Sequence, residues 1–598
     1  MTETAAAHSG RDFADLTDDG DIVRSIAGAK PVAQLPPNYR MTAKGLTWEK
    51  PTDKDTPDTR LIAGPFEVRA MTRDAQSESW GALLRWRDGD GVTHQMAAAL
   101  SLLAGDGRDF RAALLSGGLY VSPATADRNA LNAFLMQVKI DRRARAVSRV
   151  GWADGSFALP DRTIGPDDGD LVVYQGTAST MHDYRTAGTL EGWQSGLATL
   201  AAGNSRLVLA ICAGFVGPLL QAVGGEGGGL HLRGASSIGK STALLAAASI
   251  WGAPSFVRQW RATANGLEGV AELANETLLV LDELAQLDPK EAGSIAYMLA
   301  NGCGKSRAGQ SGEARSARRW TAFFLSSGEV SLAEHARSHG AGRRSAAGQD
   351  IRILDIEADA GAGLGLFDTL HGHADGDNLA RTIKASAAAH HGHAGPAFVK
   401  ALLGRMDETA NTVRAGIQKF ATDTLPPSAS GQVHRACQRF GLLAMAGEVA
   451  TFLEVLPWQP GEATRAAKAA FAGWMQARGG AGSAEDKTAL EQVAEFLTMH
   501  GASRFQQIDA ETNPVIHNRV GFIRKAQTGQ TEYLIPPITW RNEVCKGLNA
   551  KSVSALLAEQ GHLLTDTKGK TSIPVNAPGM GKTRFYIVRE SVMGGADA

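Results

Sequence analysis

Apolar residues are sparse and aperiodic over residues 1–58, where Asp, Thr, Pro and Ala dominate, and this stretch reads as a flexible tail. Over residues 59–189 the texture changes to short alternating runs. Phe66-Glu67-Val68-Arg69-Ala70-Met71 and Ala82-Leu83-Leu84-Arg85-Trp86 place every second residue on an apolar face, and Gly89-Asp90-Gly91 supplies a turn. A helical stretch near residues 129–138 interrupts them. The pattern predicts a strand-rich α+β N-terminal domain. Within it Gly151-Trp152-Ala153-Asp154-Gly155 reads as strand and turn, with Trp152 in a core or, less commonly, facing DNA or a partner.

Residues 190–360 carry fully apolar runs, as buried parallel strands do. Leu230-His231-Leu232-Arg233, Leu278-Leu279-Val280-Leu281, Trp320-Thr321-Ala322-Phe323-Phe324-Leu325 and Ile351-Arg352-Ile353-Leu354-Asp355-Ile356 are strand-like, and residues 241–251 are helical, free of Gly and Pro. Residues 207–223 mimic a membrane span. They are slightly short, contain Gly214, Gly217 and Pro218, and run straight into the next strand, so they predict a buried helix and no membrane. Residues 361–478 are helical, most clearly at 433–446. Gly479-Gly480-Ala481-Gly482-Ser483 is a linker by composition. Residues 484–598 alternate helices (489–500, 552–560) with strands (531–535, 584–588) and carry a basic hairpin with Lys568, Lys570, Lys582 and Arg584, a winged-helix-like pattern.

Chemistry enters with Gly234-Ala235-Ser236-Ser237-Ile238-Gly239-Lys240-Ser241-Thr242, which fits the Walker A pattern between a strand and a helix. Glycines let such a loop curl its backbone N–H groups toward phosphates, Lys240 reaches the β- and γ-phosphates, and Ser241 ligates Mg²⁺. The 278–281 strand ends in Asp282 and Glu283, which places Asp282 beside the metal and Glu283 beside an attacking water. ATP and Mg²⁺ are therefore the expected cofactors. Gly579-Met580-Gly581-Lys582-Thr583 imitates a second phosphate loop. Asn576 stands where its leading glycine belongs and a strand follows, so it reads as a hairpin turn.

An oligomeric ATPase of the AAA+ kind needs three further parts. Ser326 or Ser327 ends the strand that would carry a polar sensor. Arg343, Arg344 and Arg352 are candidates for an arginine delivered to a neighbouring subunit, and Arg435, with Arg439 one turn away, for an arginine from a helical lid. Each also suits a solvated surface. Between them, Asn301-Gly302-Cys303-Gly304-Lys305-Ser306-Arg307, followed by Arg315, Arg318 and Arg319, reads as a projecting basic hairpin or a charged loop. The net charge of −1 excludes a globally basic nucleic-acid coat, so DNA contacts must be local. Four scattered cysteines and no leader-like apolar segment fit a reducing cytoplasm.

His231-Leu232-Arg233-Gly234 through Ser241, with Ala247-Ala248-Ser249-Ile250-Trp251-Gly252, resembles an uncharacterised-domain family of P-loop proteins of phages, plasmids and integrated elements that carries a superfamily-II-helicase-like label. Residues 260–268, 325–329, 347–352, 439–448 and 501–505 look like its other motifs, in order. The family's core is similar to AAA+ replicative helicases of the minichromosome-maintenance and superfamily-3 types. That resemblance implies an α/β chain: an AAA+ core at residues 190–360, a helical lid at 361–478 and a winged-helix-like domain at 484–598. It implies a hexameric helicase translocating on single-stranded or forked DNA for replication of a mobile element, with a replication initiator or primase as a further partner. It raises Arg352 as the trans arginine, Ser327 as the sensor (serine where asparagine is usual), Arg435 as the lid arginine, and Lys305 with Arg307 as DNA contacts. A duplex-translocating motor and an ATP-binding scaffold are the alternatives; intact Lys240, Asp282 and Glu283 argue against the scaffold.

Overall fold

The computed structural model describes residues 22–24, 31–51, 58–166, 171–176, 182–305, 307–308, 314–315, 317–337, 352–427, 429–478, 480, 484–509 and 516–594. Two units separate by their internal contacts: Met1–Thr424 with Ala436–Trp474, and Leu425–Arg435 with Met475–Ala598.

The alternating runs of the first unit form a five-stranded sheet in the order Leu171–Tyr174, Arg143–Val147, Phe66–Arg73, Gly81–Arg87, Thr93–Ala99. Helices Arg108–Ser116 and Thr125–Gln137 cover one face, burying Phe110, Leu131 and Phe134 against Phe66, Leu84 and Trp86. The tail expected over residues 1–58 ends earlier. Tyr39–Thr42, Gly45–Lys50 and Asp58–Ala63 make an antiparallel sheet whose Met41, Leu46 and Ile62 enter the same core, and the Tyr39 hydroxyl donates to the Ala130 carbonyl at 2.9 Å. Strands this short offer too few alternating apolar residues to register as a pattern.

The nucleotide part holds five strands, all parallel, in the order Val257–Gln259, Leu278–Asp282, Phe323–Gly328, Gly228–Arg233, Ile353–Glu357. Against it packs the apolar helix Ser205–Val223, with residues 205–220 buried inside the protein, as its Gly and Pro content predicts. Those residues have work to do. Pro218 has no N–H to bond the Gly214 carbonyl, and the indole of Trp251 donates to that carbonyl instead, at 2.7 Å. At Gly217 a Cβ would sit 2.2 Å from the Thr277 carbonyl oxygen, so only glycine lets helix and sheet approach this closely. The helical region expected as a lid belongs largely to this unit and packs on the same helix. Phe398 meets Phe215 at 5.0 Å, and Gly447 abuts Cys212.

The second unit has its own mixed sheet, in the order Phe505–Gln507, Gly521–Lys525, Thr531–Ile535, Gly581–Arg589, Ile573–Ala577. One face packs Val493, Trp540 and Leu557 from its helices, and the other buries Phe522, Leu534 and Phe585. The imitation phosphate loop is a hairpin turn: Ala577 pairs with Gly581, and Gly579 takes φ +73°. Five strands are more than the small wing the sequence suggested, because Phe505–Gln507, Gly521–Lys525 and Ile573–Ala577 carry no strong alternation.

Candidate functional site

All five strands are parallel, so their C-terminal ends share one edge, where the candidate chemistry gathers. The loop after Gly228–Arg233 is shaped by Gly234 (φ +149°), Ser237 (φ +65°) and Gly239 (φ +105°). A Cβ on Gly234 would lie 2.6 Å from Ile238 Cδ1, and one on Gly239 2.9 Å from Leu366 Cβ, so both positions need glycine for space as well as for φ. Lys240 opens the helix Lys240–Ala248, and its ammonium donates to the carbonyls of Gly234 and Ala235, both at 2.6 Å. Phosphate oxygens would compete for those same protons. Ala235, Ser236 and Ile238 complete the loop. Thr242, assigned to the nucleotide from sequence, turns its side chain into the core at 1% exposure, which leaves Ser241 as the hydroxyl at this edge.

Ser241 Oγ donates to Asp282 Oδ2 at 3.3 Å. Pairing of Leu281 with Ser326 sets Asp282 beside Ser327, whose hydroxyl donates to Asp282 Oδ1. The Glu283 N–H reaches Asp282 Oδ1 at 3.1 Å and Ser327 Oγ at 3.4 Å. Glu283 is exposed and left-handed (φ +61°), a conformation that costs a non-glycine residue about 1–3 kcal/mol and clusters at functional sites. Two oxygen donors, Ser241 and Asp282, facing the loop suit a hard cation such as Mg²⁺ completed by phosphate and water.

The structure separates the two serines the sequence left open. Neighbours along a strand face opposite ways. Ser326 is buried; it accepts from Trp260 Nε1 at 2.9 Å and lies 2.9 Å from His231 Nδ1. His231 Nε2 meets the Val330 carbonyl at 3.1 Å, and a carbonyl only accepts, so Nε2 carries the proton and Ser326 donates to Nδ1. Burial pushes the imidazole down to about 4, so it is neutral at pH 7. Ser326 therefore ties three strands together, and Ser327 alone meets Asp282. No motif announces this network; a histidine and a tryptophan flanking the two Walker strings were its only trace.

Arg352 lies elsewhere. Ile353 pairs with Gly229, so Arg352 precedes its strand at the sheet edge opposite the phosphate loop. Its guanidinium is 3.5 Å from Glu226 and 5.3 Å from the centre of the Tyr297 ring. Arg439 joins the same cluster, donating to the Gly227 carbonyl at 3.0 Å; a Cβ on Gly228 would collide with it at 1.9 Å. Arg343 and Arg344 lie outside the described residues. Arg435 belongs to the second unit, exposed, with its Nε bonded to the Gly431 carbonyl at 3.4 Å.

The basic segment is a hairpin at its base: Arg307–Ala308 pairs antiparallel with Ala314–Arg315. The side chain of Arg307 lies outside the described residues. Lys305 is exposed, and its backbone N–H donates to the buried Glu268 at 3.2 Å, while Arg318 meets Glu272 at 3.4 Å. Both acids stand on the helix Ala264–Leu273, which anchors the hairpin's root.

Residues 39–319 match a family described as a domain of unknown function, DUF927. No curated protein matches the chain. A solved structure described as "SCCmec type IV Cch - active helicase" is similar over 94% of this chain and 99% of that one, with a TM-score of 0.66 and 17% identity. At that identity the likeness is one of fold.

Proposed function

We propose that the protein is an ATP-dependent DNA helicase that serves a mobile genetic element, acting as a hexameric AAA+ ring on single-stranded DNA. One observation carries the ATPase reading. Lys240, Ser241, Asp282, Glu283 and Ser327 converge at one edge of a parallel sheet, with the strand bearing Ser327 between those bearing the loop and Asp282. The fold shared with a helicase of a mobile element supports the rest.

In this reading the loop amides and Lys240 bind the β- and γ-phosphates, with Lys240 exchanging its two carbonyl partners for phosphate oxygens. Ser241 and Asp282 hold Mg²⁺, which offsets charge on the phosphates. Glu283 orients the attacking water, and Ser327 fixes the carboxylate of Asp282. Arg352, at the far edge, serves the site of the next subunit, where a guanidinium stabilises the transferring phosphoryl group. Lys305 and Arg307 grip phosphates from the anchored hairpin, and Arg435 reports from the second unit. Strand displacement on forked against blunt duplexes, with ATP turnover measured in parallel, tests the proposal. Forked substrates opened with ATP support it. Translocation on blunt duplex without strand separation would replace helicase by duplex motor, and nucleotide binding without turnover would leave a scaffold.

A further inference from the structure

Far from the phosphate loop, the N-terminal sheet and the nucleotide part of the first unit enclose a cleft of about 530 Å³, a size that takes small ligands or part of a polymer. One wall is the arginine-rich segment Arg142-Arg143-Ala144-Arg145-Ala146-Val147-Ser148-Arg149, of which residues 145–149 line the cleft. The other wall includes Asn275, Glu276 and Thr321, and Trp152 stands between the two. The joint is tightly made. Glu276 accepts from the Trp152 backbone N–H at 2.6 Å, Asn275 Nδ2 donates to the Val150 carbonyl at 2.6 Å, and the Trp152 indole donates to the Pro218 carbonyl at 3.0 Å. Gly151 (φ +119°) has no room for a side chain, because its Cβ would lie 2.1 Å from Glu276 Oε2. Residues 275–277 lead directly into Leu278–Asp282, the strand that ends at the candidate catalytic edge.

The charges here are unevenly spent. Asp74 is held below the usual carboxylate range by the N–H groups of its own turn, including Glu78 and Gln76, and Arg145 pairs with Asp154 at 3.4 Å. Burial pushes Glu276 up to about 7, so that wall carries less than its nominal charge at neutral pH. Arg142 and Arg149 are exposed and pair with no carboxylate among the described residues. Arg143 lies 5.6 Å from the centre of the 40%-exposed Trp80 ring. Free guanidinium groups beside indole faces suit a nucleic-acid strand: cations track the phosphates while aromatic faces stack bases.

We infer that this cleft is a second binding site for single-stranded nucleic acid, with Arg149 and Arg142 on backbone phosphates and Trp152 beside a base. It is distinct from the hairpin that carries Lys305. A strand held here bears on Asp282 and Glu283 through the joint at Asn275 and Glu276. The site's geometry is independent of the hairpin, but its use in a helicase rests on the reading above.

Full-length protein, its Arg142→Ala/Arg149→Ala double variant and Lys305→Ala are compared for binding of a labelled oligothymidine across a salt titration. A bromodeoxyuridine-substituted strand is photocrosslinked in parallel. Loss of two single-strand phosphate contacts should flatten the log–log salt slope by about 1.4. Arg149→Lys in place of Arg149→Ala should restore part of it, crosslinks should map to residues 142–152, and thymidine monophosphate should fail to displace the strand. An unchanged slope in the double variant, with the slope lost in Lys305→Ala, overturns the cleft and leaves the helicase reading standing. Displacement by the monophosphate as effective as by the oligomer makes the cleft a free-phosphate site and also overturns it. Wild-type protein that binds no single strand at any salt defeats both.

Discussion

The two edges of the nucleotide sheet are built on opposite principles. At the edge that carries the phosphate loop, polar side chains are short, partly exposed and bonded to neighbours a few residues or one strand away: Lys240 to Gly234, Ser241 to Asp282, Ser327 to Asp282. At the other edge the polar groups join segments far apart in sequence: Glu276 to Trp152, Arg439 to Gly227, Arg352 to Glu226. The first edge holds strain in a single residue, the left-handed Glu283, and waits for a ligand to satisfy its charges. The second is already satisfied within the chain, apart from groups that reach outward. The difference teaches where each edge can do chemistry: one on a ligand of its own, the other on a partner's.

The largest effect should come from the far edge. Arg352→Ala is expected to lower ATP turnover about 10³–10⁵-fold, the usual worth of a trans arginine. Mixing Arg352→Ala with Glu283→Gln subunits should restore part of the rate by creating sites that hold both residues. Full activity in Arg352→Ala, or no rescue on mixing while each mutant alone is inactive, would return Arg352 to a structural partner of Glu226 and Tyr297.

At the near edge, Glu283→Gln should bind ATP with little change but turn it over about 10²–10⁴-fold more slowly, the range for loss of a positioned base. Lys240→Ala should lose nucleotide affinity itself. Binding by a fluorescent ATP analogue and single-turnover hydrolysis separate the two, and normal turnover in Glu283→Gln would remove that residue from the water site.

Glu276 gives the far edge a pH signature. Its carboxyl is raised from an ordinary 4.5 to about 7 by burial, against the opposing effects of the Trp152 N–H and Arg149. The folded state therefore holds a proton there that the unfolded state has lost between those values. Stability should fall as pH rises from 4.5 to 7, by about 3 kcal/mol at most from this group, and level off above. Glu276→Gln keeps an acceptor for Trp152 and should flatten the curve in that window. Asp355, also raised to about 7 by burial beside Arg233, contributes the same sign and remains in the variant. Urea midpoints that rise between pH 5 and 7 would contradict the burial of both carboxyls.

What could be read from sequence follows the same division. Gly234, Gly239, Lys240, Asp282 and Glu283 act through local geometry, a loop and the end of one apolar strand, so spacing alone located them. The hairpin at Gly579 was legible for the same reason. The Glu276–Trp152 bond spans 124 positions, and nothing in either segment names the other. Trp152 in fact fits neither simple expectation: it is half-buried, pinned through its indole to Pro218, and forms part of a cleft wall. The helix Arg108–Ser116 and the strands from Tyr39 to Lys50 went unread because their apolar residues meet partners from other elements rather than each other.

The smallest effect concerns Ser326, and it sharpens the contrast between adjacent serines of one strand. Ser326→Ala removes a hydroxyl that both accepts from Trp260 and donates to His231, leaving two buried polar atoms without partners. Each such loss costs about 1–3 kcal/mol, and the smaller end applies where neighbours relax, so a lowered urea midpoint is expected. ATP affinity at temperatures where the variant is folded should change little, because none of the three side chains meets Asp282. Ser327→Ala should do the reverse: it removes a bond at the exposed edge, where water can replace it, while freeing the Asp282 carboxylate that the proposed Mg²⁺ site needs held. A small stability change with a clear loss of turnover is the expected result for Ser327→Ala. If the two variants instead exchange profiles, the hydroxyl that matters for chemistry is the buried one, and the division of labour drawn from the strand's alternation is wrong.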